Sequence, residues 1–381
     1  MMVTAPRFAM VAGEASGDLL AGLLLNGMRE RWPDLTAEGI GGPKMAAQGF
    51  EAWWPYDKLA VRGYVEVLSH YREISGIRSE LADRLLKAPP DMFIGVDVPD
   101  FNLDLEERLK SNGLKTIHFV SPSIWAWRGK RIDKIRNATD LVLCIFPFEP
   151  PIYARHGVPA VYVGHPLATV IPLDVPRSAA RASLGLSEAD AVVAILPGSR
   201  RAEIQYIAPR LLAAAARMQR ERPELRFVLP VVPGLRHLIE PLRKQFAPDA
   251  RIELLEGKSH DALAACDVVL VASGTATLEA ALFKRPMVVV YAMHALSWQM
   301  SKRMKYQPWV ALPNILLGEF AVPELLQGDA TAERIAKAAG VWLDDPAACA
   351  ALAQRFRTLH EELRCDTARI ATDAIEEVLA R

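Results

Sequence analysis

The sequence predicts an α/β protein built from two Rossmann-like, doubly wound domains that face each other across a cleft. Short, continuously apolar runs alternate with longer amphipathic stretches, as in parallel sheets that are covered by helices. The alternation restarts after the proline-rich segment 163–176, which indicates a domain boundary. A length of 381 residues also fits two domains of ordinary size. We expect a first domain over 1–170, a second over 171–344 and a helical segment over 345–381.

Composition narrows the class of protein further. Lys and Arg number 45 against 45 Asp and Glu, and hydrophobic residues make up 51% of the chain, which excludes wholesale disorder and argues against a nucleic-acid partner. No apolar run reaches the roughly 18 residues that a membrane span needs. The four cysteines are scattered, as in a reducing compartment, and the histidines lack metal-ligand spacing, so no metal site is expected.

The apolar runs give the strands, and the amphipathic stretches give the helices. Predicted strands of the first domain are 8–11, 92–96, 116–120, 141–146 and 161–163, and those of the second are 191–196, 226–231, 268–271 and 287–291. Helices are predicted at 19–31, 103–111, 202–220 and 275–283. Ligands of doubly wound sheets bind beyond the carboxyl ends of the strands, so residues that directly follow a strand are the functional candidates.

The first candidate is the turn Gly-Glu-Ala-Ser-Gly-Asp at 13–18, which connects a strand to a helix. Free N–H groups at the helix start can bind an anion or a sugar hydroxyl, with Glu14, Ser16, Gly17 and Asp18 as candidate contacts. The alternative is a plain turn in which Ser16 or Asp18 caps the helix. Because the GxGxxG spacing is absent, a nicotinamide cofactor is disfavoured, and no cofactor is expected.

Asp97 is the candidate general base. It ends the apolar strand 92–96, where a carboxylate could accept a proton from a hydroxyl nucleophile. Asp100 lies nearby and is an alternative, although it could equally cap the following helix. After the next strand, Trp125 and Trp127 suit either a sugar-binding wall or a corner of the core.

Two turns of the second domain suit phosphate groups. One contains Ser199 and Arg200, and the other contains Ser273, Gly274 and Thr275; each joins a strand to a helix start. Two such turns in one domain indicate a nucleotide diphosphate. Glu279 lies one helical turn beyond Thr275 and could accept the ribose hydroxyls. The alternatives are a solvated arginine pair and a capped helix with a surface glutamate, and the Walker spacing is absent.

An amphipathic segment at 59–86 adds a candidate lipid contact. Apolar residues recur at helical spacing with arginines nearby, and this pattern occurs both in membrane-surface helices and in helices that pack on a core. The candidate membrane-facing or acyl-facing residues are Val67, Leu68, Tyr71 and Ile74.

Eight motifs together resemble one family, the lipid-A-disaccharide synthases, over nearly the whole chain. They are GEASGD, GIGGPKM, VRGYVEVL, GVDVPDFN, HFVSPSIWAW, LPGSR, ASGTATLE and VALPNILLG, and a C-terminal ELRCD segment also matches. The resemblance implies the GT-B architecture, with the C-terminal segment returning to the first domain. It also implies an inverting, metal-independent glycosyltransferase of lipopolysaccharide biosynthesis.

The resemblance further implies the reaction and its setting. UDP-2,3-diacylglucosamine would be the donor and 2,3-diacylglucosamine 1-phosphate (lipid X) the acceptor, giving a β-1,6-linked disaccharide 1-phosphate and UDP. The enzyme would be peripheral on the cytoplasmic face of the bacterial inner membrane, with a homodimer that exchanges C-terminal segments as one option. Asp97 would deprotonate the acceptor hydroxyl, and Asn314 is a further candidate contact for the donor.

Two other functions share the predicted fold. A UDP-sugar epimerase can have the same two domains but needs no lipid-binding patch. A non-catalytic nucleotide-binding module would bind UDP without turnover. Lipid-vesicle binding and the effect of Asp97→Ala separate these functions from the glycosyltransferase.

Overall fold

The protein forms two compact units. The computed structural model describes residues 5–59, 64–125, 129–294, 298 and 308–381, with side chains at all of these except 15, 57 and 64–71. One unit contains Met1–Thr169 and Leu363–Arg381, and the other contains Val170–Glu362. The first division lies one residue from the boundary expected after residue 170.

Within the described residues, the first unit is built on a seven-stranded parallel sheet. Its strands are β1 (Arg7–Ala12), β2 (Thr36–Gly41), β3 (Glu51–Pro55), β4 (Met92–Val96), β5 (Thr116–Phe119), β6 (Leu141–Cys144) and β7 (Ala160–Tyr162). They pair in the order β3-β2-β1-β4-β5-β6-β7. The order reverses between β1 and β4, which is the switch point where ligands bind in such sheets.

The second unit repeats this plan with a six-stranded parallel sheet in its described part. The strands are β8 (Val192–Leu196), β9 (Arg226–Val231), β10 (Ile252–Glu256), β11 (Val268–Ala272), β12 (Met287–Tyr291) and β13 (Glu324–Leu326). They pair in the order β10-β9-β8-β11-β12-β13, with the switch point between β8 and β11. The predicted pair of Rossmann-like units is therefore confirmed.

Helices connect the strands in both units. The first unit contains α1 (Ala15–Arg31), α2 (Pro43–Ala46), α3 (Tyr64–Lys87), α4 (Pro99–Ser111), α5 (Arg131–Ala138), α6 (Glu149–Ala154) and the start of α7 (Pro166–Val170). The second contains α8 (Arg177–Ser183), α9 (Arg201–Glu221), α10 (Arg236–Phe246), α11 (Ser259–Ala265), α12 (Thr275–Leu282), α13 (Leu312–Leu317), α14 (Ala332–Asp344) and most of α15 (Pro346–Leu363). The last helix is α16 (Thr367–Ala380), in the first unit, and short 3-10 turns occur at Tyr56–Lys58 and Gln327–Asp329.

The central strands are buried on both faces, as their unbroken apolar runs predict. Every residue from Phe8 to Ala12 in β1 has zero exposure. One core cluster joins β1 and β4 to α3 and α4, and another joins β8 and β11 to α9 and α14. Burial of these strands contributes the main hydrophobic stabilisation of each unit.

Four strands were not among those predicted from the sequence: β2, β3, β10 and β13. Glycines interrupt β2, and two glutamates interrupt the apolar run of β10. β3 and β13 are edge strands with partly exposed residues, so they lack the continuous apolar run of a central strand.

The C-terminal segment divides between the units, which corrects the expectation that all of 345–381 packs on the first domain. Residues up to Glu362 in α15 belong to the second unit, and α16 packs on α1 of the first. The N–H of His165 donates to the carbonyl of Leu363 at 2.9 Å, at the start of this return. The predicted return of C-terminal helices is thus confirmed for α16.

The described helices include none with both the length and the apolar character needed to cross a membrane.

The contact between α1 and α16 depends on a glycine. A Cβ added to Gly27 would lie 2.3 Å from the Cβ of Ala368, which is closer than side chains approach. We expect Gly27→Ala to lower the free energy of unfolding by about 1–3 kcal/mol, because α16 must shift away from α1. Urea unfolding measures the change.

Gly340 in α14 is the matched control, since an added Cβ there meets no atom within 4 Å. Gly340→Ala should raise the free energy of unfolding by about 0.5–1 kcal/mol through helix propensity. Equal effects of the two substitutions would contradict the packing argument.

Candidate active site

The turn after β1 lies beside the end of β4 in the first unit. A Cβ added to Gly13 would lie 2.6 Å from Cγ2 of Val98, so the two turns are in close contact. Glu14 precedes α1 directly, and both Glu14 and Ser16 are half-buried, whereas Gly17 is buried. The structure therefore brings this predicted acceptor-binding turn to the same sheet edge as the end of β4.

Asp18, which the sequence analysis places among the candidate acceptor contacts, forms its hydrogen bonds with a neighbouring helix. Its carboxylate accepts backbone N–H bonds from Gly42 at 2.9 Å, Lys44 at 2.9 Å and Met45 at 3.1 Å, and the residue is 2% exposed. These N–H groups belong to the start of α2, where no carbonyl of the helix can reach them. Asp18 thus caps a neighbouring helix, and both of its carboxylate oxygens are engaged there.

Asp97 lies in a strained turn. Asp97 and Val98 have φ values of 54° and 43°, in the left-handed region that costs a non-glycine residue about 1–2 kcal/mol. The N–H of Asp97 donates to the carbonyl of Phe119 at 2.9 Å, and the residue is half-buried. Asp100 is different, because its side chain is 73% exposed and forms an ion pair with Arg131.

The amide of Asn102 lies directly behind this turn. Its Nδ2 group donates to the carbonyls of Asp97 at 2.8 Å, Val11 at 3.3 Å and Val96 at 3.4 Å. Asn102 has zero exposure. The amide therefore ties the Asp97 turn to the ends of β1 and β4.

Glu106 on α4 and His118 on β5 form a buried hydrogen-bonded pair, one helical turn along α4 from Asn102. Oε1 of Glu106 lies 2.7 Å from Nδ1 of His118, and neither side chain is exposed. Burial raises the pKa of Glu106, and the neighbouring His118 opposes that shift. Gly95 leaves room for the pair, since an added Cβ would lie 2.1 Å from Oε1 of Glu106. His118, an isolated histidine in the sequence, is thus a buried hydrogen-bonding residue.

An aromatic cluster follows β5 and β6. The Trp125 ring meets the edge of Phe148 at 5.2 Å between centroids, and Phe146 stacks on Phe148 at 5.7 Å. Trp125 and Phe148 are half-buried, so this cluster presents part of its aromatic surface. Trp127 lies outside the described residues.

Glu149 supports the aromatic cluster and was missed by sequence reasoning. Its carboxylate accepts from Nε1 of Trp125 and from the N–H of Phe146, both at 3.0 Å. Burial raises the pKa of Glu149 to about 7, and these hydrogen bonds oppose the shift. Burial also lowers the pKa of His165, whose ring contacts Phe146, to about 4. Nothing in the sequence around Glu149 separates it from a helix-capping residue.

The amphipathic segment forms α3, but only part of its predicted lipid-facing set can be located. The side chains of Val67, Leu68 and Tyr71 lie outside the described residues. Ile74 is half-buried and packs against the core cluster of α3, α4, β1 and β4. For Ile74, packing on the core is therefore the observed role.

The turn after β8 contains the predicted residues Ser199 and Arg200, together with a partner that the sequence did not reveal. The N–H of Ser199 donates to Oε2 of Glu203 at 3.0 Å, and Nη1 of Arg200 lies 2.6 Å from Oε1 of the same carboxylate. Gly198 has a φ of 110°, and a Cβ there would lie 2.4 Å from Glu203. Glycine is therefore required at this turn.

The second phosphate-suited turn lies next to the first, because β8 and β11 are paired neighbours. Gly274 and Thr275 are exposed, and a Cβ on Gly274 would meet no atom within 4 Å, so the backbone there is open to a ligand. Ser273 instead donates its hydroxyl to the carbonyl of Val310 at 2.8 Å. The structure thus brings together the two turns that the sequence predicted for a diphosphate.

Glu279 has a histidine partner. Nε2 of His260, at the start of α11, lies 3.2 Å from Oε2 of Glu279, and the His260 ring contacts Phe283. The side chain of Glu279 is 21% exposed, so it remains accessible from the same edge as Thr275. His260 was another isolated histidine in the sequence, and only the pairing of strands brings it to Glu279.

Asn314, the expected further contact for the donor, is buried in α13, and its place in the donor site stays a prediction. Its amide donates to the carbonyl of Val322 and to Oε1 of Glu324, each at 2.9 Å. Its Oδ1 accepts from the N–H groups of Ala321 and Val322 at 2.8 and 2.9 Å, and the residue has zero exposure. The whole hydrogen-bonding capacity of Asn314 is used within the unit, where it fixes the loop between α13 and β13.

The described residues contain no cluster of three or more His, Cys, Asp or Glu side chains arranged to hold a metal ion.

Comparison of the sequence with known proteins identifies close relatives along the full chain. The model of a family described as lipid-A-disaccharide synthetase matches residues 8–375. The lipid-A-disaccharide synthase of Albidiferax ferrireducens is 59% identical over 378 residues, covering 98% of this chain and 97% of the relative. That of Dechloromonas aromatica is 50% identical, covering 99% and 100%.

Comparison with solved structures concerns the fold alone, because sequence identities are low. The UDP-GlcNAc 2-epimerase from Neisseria meningitidis bound to UDP-GlcNAc has a TM-score of 0.63 and 11% identity over 98% of this chain and 99% of that one. The glycotransferase of kitacinnamycin has a TM-score of 0.66 and 18% identity over the same shares. Both likenesses agree with the predicted GT-B class.

The ionisation of Glu149 generates a pH prediction. Its pKa is about 7 in the folded protein against an ordinary value of 4.5. Between pH 4.5 and pH 7, the carboxyl group is therefore protonated in the folded state and ionised in the unfolded state. The free energy of unfolding therefore contains a contribution that falls as pH rises from 4.5 to 7. Glutamine cannot ionise, so this contribution is absent from Glu149→Gln. The free energy of unfolding of the variant minus that of the native chain should therefore rise by up to about 3 kcal/mol from pH 4.5 to pH 8.

Urea unfolding of both proteins at pH 4.5, 6 and 8 measures this gain. The low pKa of His165 acts in the opposite direction between pH 4 and 6.5, but it is common to both proteins and cancels in the difference. Glu80→Gln, at an exposed position of α3, is the matched control substitution. A flat difference for Glu149→Gln would show that burial does not control its ionisation.

Proposed function

Because the chain belongs to the lipid-A-disaccharide synthase family and is a glycosyltransferase of lipid A biosynthesis, we propose that it transfers a diacylglucosamine unit from UDP to lipid X. The donor is UDP-2,3-diacylglucosamine and the acceptor is 2,3-diacylglucosamine 1-phosphate. The products are the β-1,6-linked disaccharide 1-phosphate and UDP. Family membership favours this function over the epimerase and the non-catalytic module.

The observation that carries the proposal is the adjacency of the two turns at the carboxyl ends of β8 and β11. N–H groups at the starts of α9 and α12 and the guanidinium of Arg200 suit the two phosphates of UDP. Glu279 lies one turn into α12, on the same helix face as Thr275, and is the proposed partner of the ribose hydroxyls. The UDP-GlcNAc named with the Neisseria epimerase supports a UDP-sugar in this fold.

The proposed reaction is an in-line displacement with inversion at the donor's anomeric carbon. The acceptor's 6-hydroxyl attacks that carbon as its proton passes to the carboxylate of Asp97. The new glycosidic bond forms while the bond to the β-phosphate oxygen breaks, and UDP leaves with the electron pair. Arg200 and the helix-start N–H groups stabilise the charge on UDP, which gives the reaction a means of leaving-group stabilisation that needs no metal.

The acceptor side of the site is proposed at the edge formed by β1, β4 and β5. Glu14, Ser16 and Gly17 lie at the same edge as Asp97, and the half-buried ring of Trp125 follows the next strand. Sugar hydroxyls could bond to the turn while the apolar face of a sugar contacts an aromatic ring. Asp18 would contribute here by positioning α2.

Lipid substrates also require a way to leave a bilayer. We propose peripheral contact with the cytoplasmic face of the inner membrane through α3, with Val67, Leu68 and Tyr71 as the acyl-facing candidates. The proposed homodimer would exchange C-terminal segments. In that dimer, the contact of α16 with α1 seen within one chain would form between two chains.

Asp97→Asn tests the proposed base. We expect turnover to fall about 10²–10⁴-fold, since the amide cannot accept the proton, while UDP affinity stays nearly unchanged. Turnover is measured as UDP release from purified protein with both lipid substrates and EDTA, and affinity by calorimetry. Asp100→Asn is the matched control on the exposed side of the same turn and should keep near-native turnover. Normal turnover in Asp97→Asn would assign the base elsewhere, and loss of product on chelation would contradict the metal-free mechanism.

Arg200→Ala tests the donor site. Removing a charge-assisted hydrogen bond to the diphosphate should weaken UDP binding about ten- to hundredfold. Arg201→Ala is the control, because Arg201 is the exposed first residue of α9. Calorimetric titration with UDP distinguishes them, and equal affinities for the two variants would rule out a specific contact by Arg200.

A further inference from the structure

The backbone around Asp97 is held in a conformation that it would not adopt alone. Two successive residues without glycine's freedom, Asp97 and Val98, have positive φ, and the β-branched Val98 is especially disfavoured there. Such a turn persists only where surrounding contacts enforce it. The contacts that do so therefore decide where the carboxylate of Asp97 points.

One side chain makes the contact that fits this role. Nδ2 of Asn102 donates to the carbonyl of Asp97 at 2.8 Å, inside the strained turn, and to the carbonyls that end β1 and β4 at 3.3 and 3.4 Å. The reverse amide orientation would place Oδ1 against three carbonyl oxygens, so the network itself fixes which atom faces the turn. The N–H of Asn102 also donates to the carbonyl of Val98 at 3.0 Å.

The oxygen of the same amide forms no hydrogen bond, so filling space in the core does not by itself explain an asparagine at this position. Oδ1 of Asn102 is buried without a hydrogen-bond partner, and so are Oε2 of Glu106 and Nε2 of His118 beside it. A buried, unsatisfied polar atom costs about 1–3 kcal/mol. An apolar side chain would fill the same volume without that cost, so the gain from asparagine lies in what Nδ2 holds.

We infer that Asn102 is a positioning residue for the glycosyl transfer, which locks the left-handed turn so that the carboxylate of Asp97 is aimed at the acceptor hydroxyl. The inference rests on the proposed function, because it requires Asp97 to be the base. Asn102 itself touches no reacting atom; it acts through the carbonyl of Asp97. Its loss should slow the chemical step and leave substrate binding intact.

The first test is Asn102→Ala, alone and combined with Asp97→Asn. In the native background we expect kcat to fall about ten- to hundredfold, the loss expected when a catalytic group is displaced by about an ångström. KM for both substrates and the affinity for UDP should stay close to native. In the Asp97→Asn background the same substitution should have almost no further effect, because no carboxylate remains to be aimed.

The double substitution separates positioning from a general structural role. Equal fold-losses in the two backgrounds, or native kcat in Asn102→Ala, would overturn the inference. If Asp97→Asn keeps native turnover, the proposed base itself fails, and that result does not depend on Asn102. Asn112→Ala, at the exposed end of the same helix, is the matched control and should leave kcat unchanged.

A second variant covers the case in which Asn102→Ala does not fold. Val98→Gly leaves the amide of Asn102 in place and introduces a residue that adopts both left- and right-handed conformations freely. The loosened turn should lower kcat about tenfold with unchanged UDP affinity. Native kcat in Val98→Gly would show that the locked turn does not direct Asp97.

Discussion

Parallel pairing of the central strands is the constraint on which the rest of this protein depends. At the point where the strand order reverses, β1 runs beside β4 in the first unit and β8 runs beside β11 in the second. Parallel strands end at a common edge, so turns that are far apart in the sequence become neighbours there. In the first unit this joins the turn at 13–18 to the turn at 97–102. In the second it joins the turn at 198–203 to the turn at 273–279. Each candidate site is a product of that pairing.

Carboxylate side chains hold several of these segments in place through hydrogen bonds. Asp18 caps α2, Glu203 bridges Ser199 and Arg200, and Glu149 bonds the ring of Trp125. Asp97, by contrast, lies in a strained turn that is itself held by an amide. The first three carboxylates fix local geometry through their own hydrogen bonds, whereas the backbone carbonyl of Asp97 is the group through which Asn102 holds its turn.

The fold alone does not choose the chemistry. Solved structures with the same two-sheet plan include a UDP-GlcNAc 2-epimerase and a glycotransferase, at TM-scores of 0.63 and 0.66. The same fold therefore carries enzymes of different reaction types and does not distinguish them. The family match over residues 8–375 does, because it identifies the chain as a member of the lipid-A-disaccharide synthase family.

The sequence by itself determined the two Rossmann-like units, because central strands buried on both faces must be continuously apolar. It also located the turns that follow those strands. It did not reveal β2, β3, β10 and β13, whose glycines, glutamates or exposed edges weaken the hydrophobic pattern. Only the tertiary structure decided that the side chains of Asp18 and Asn314 bond to backbone groups of their own unit, and that Glu149, Glu203 and His260 lie beside candidate residues. A hydrogen-bond partner is set by folding across many residues, and neither local spacing nor residue type records it.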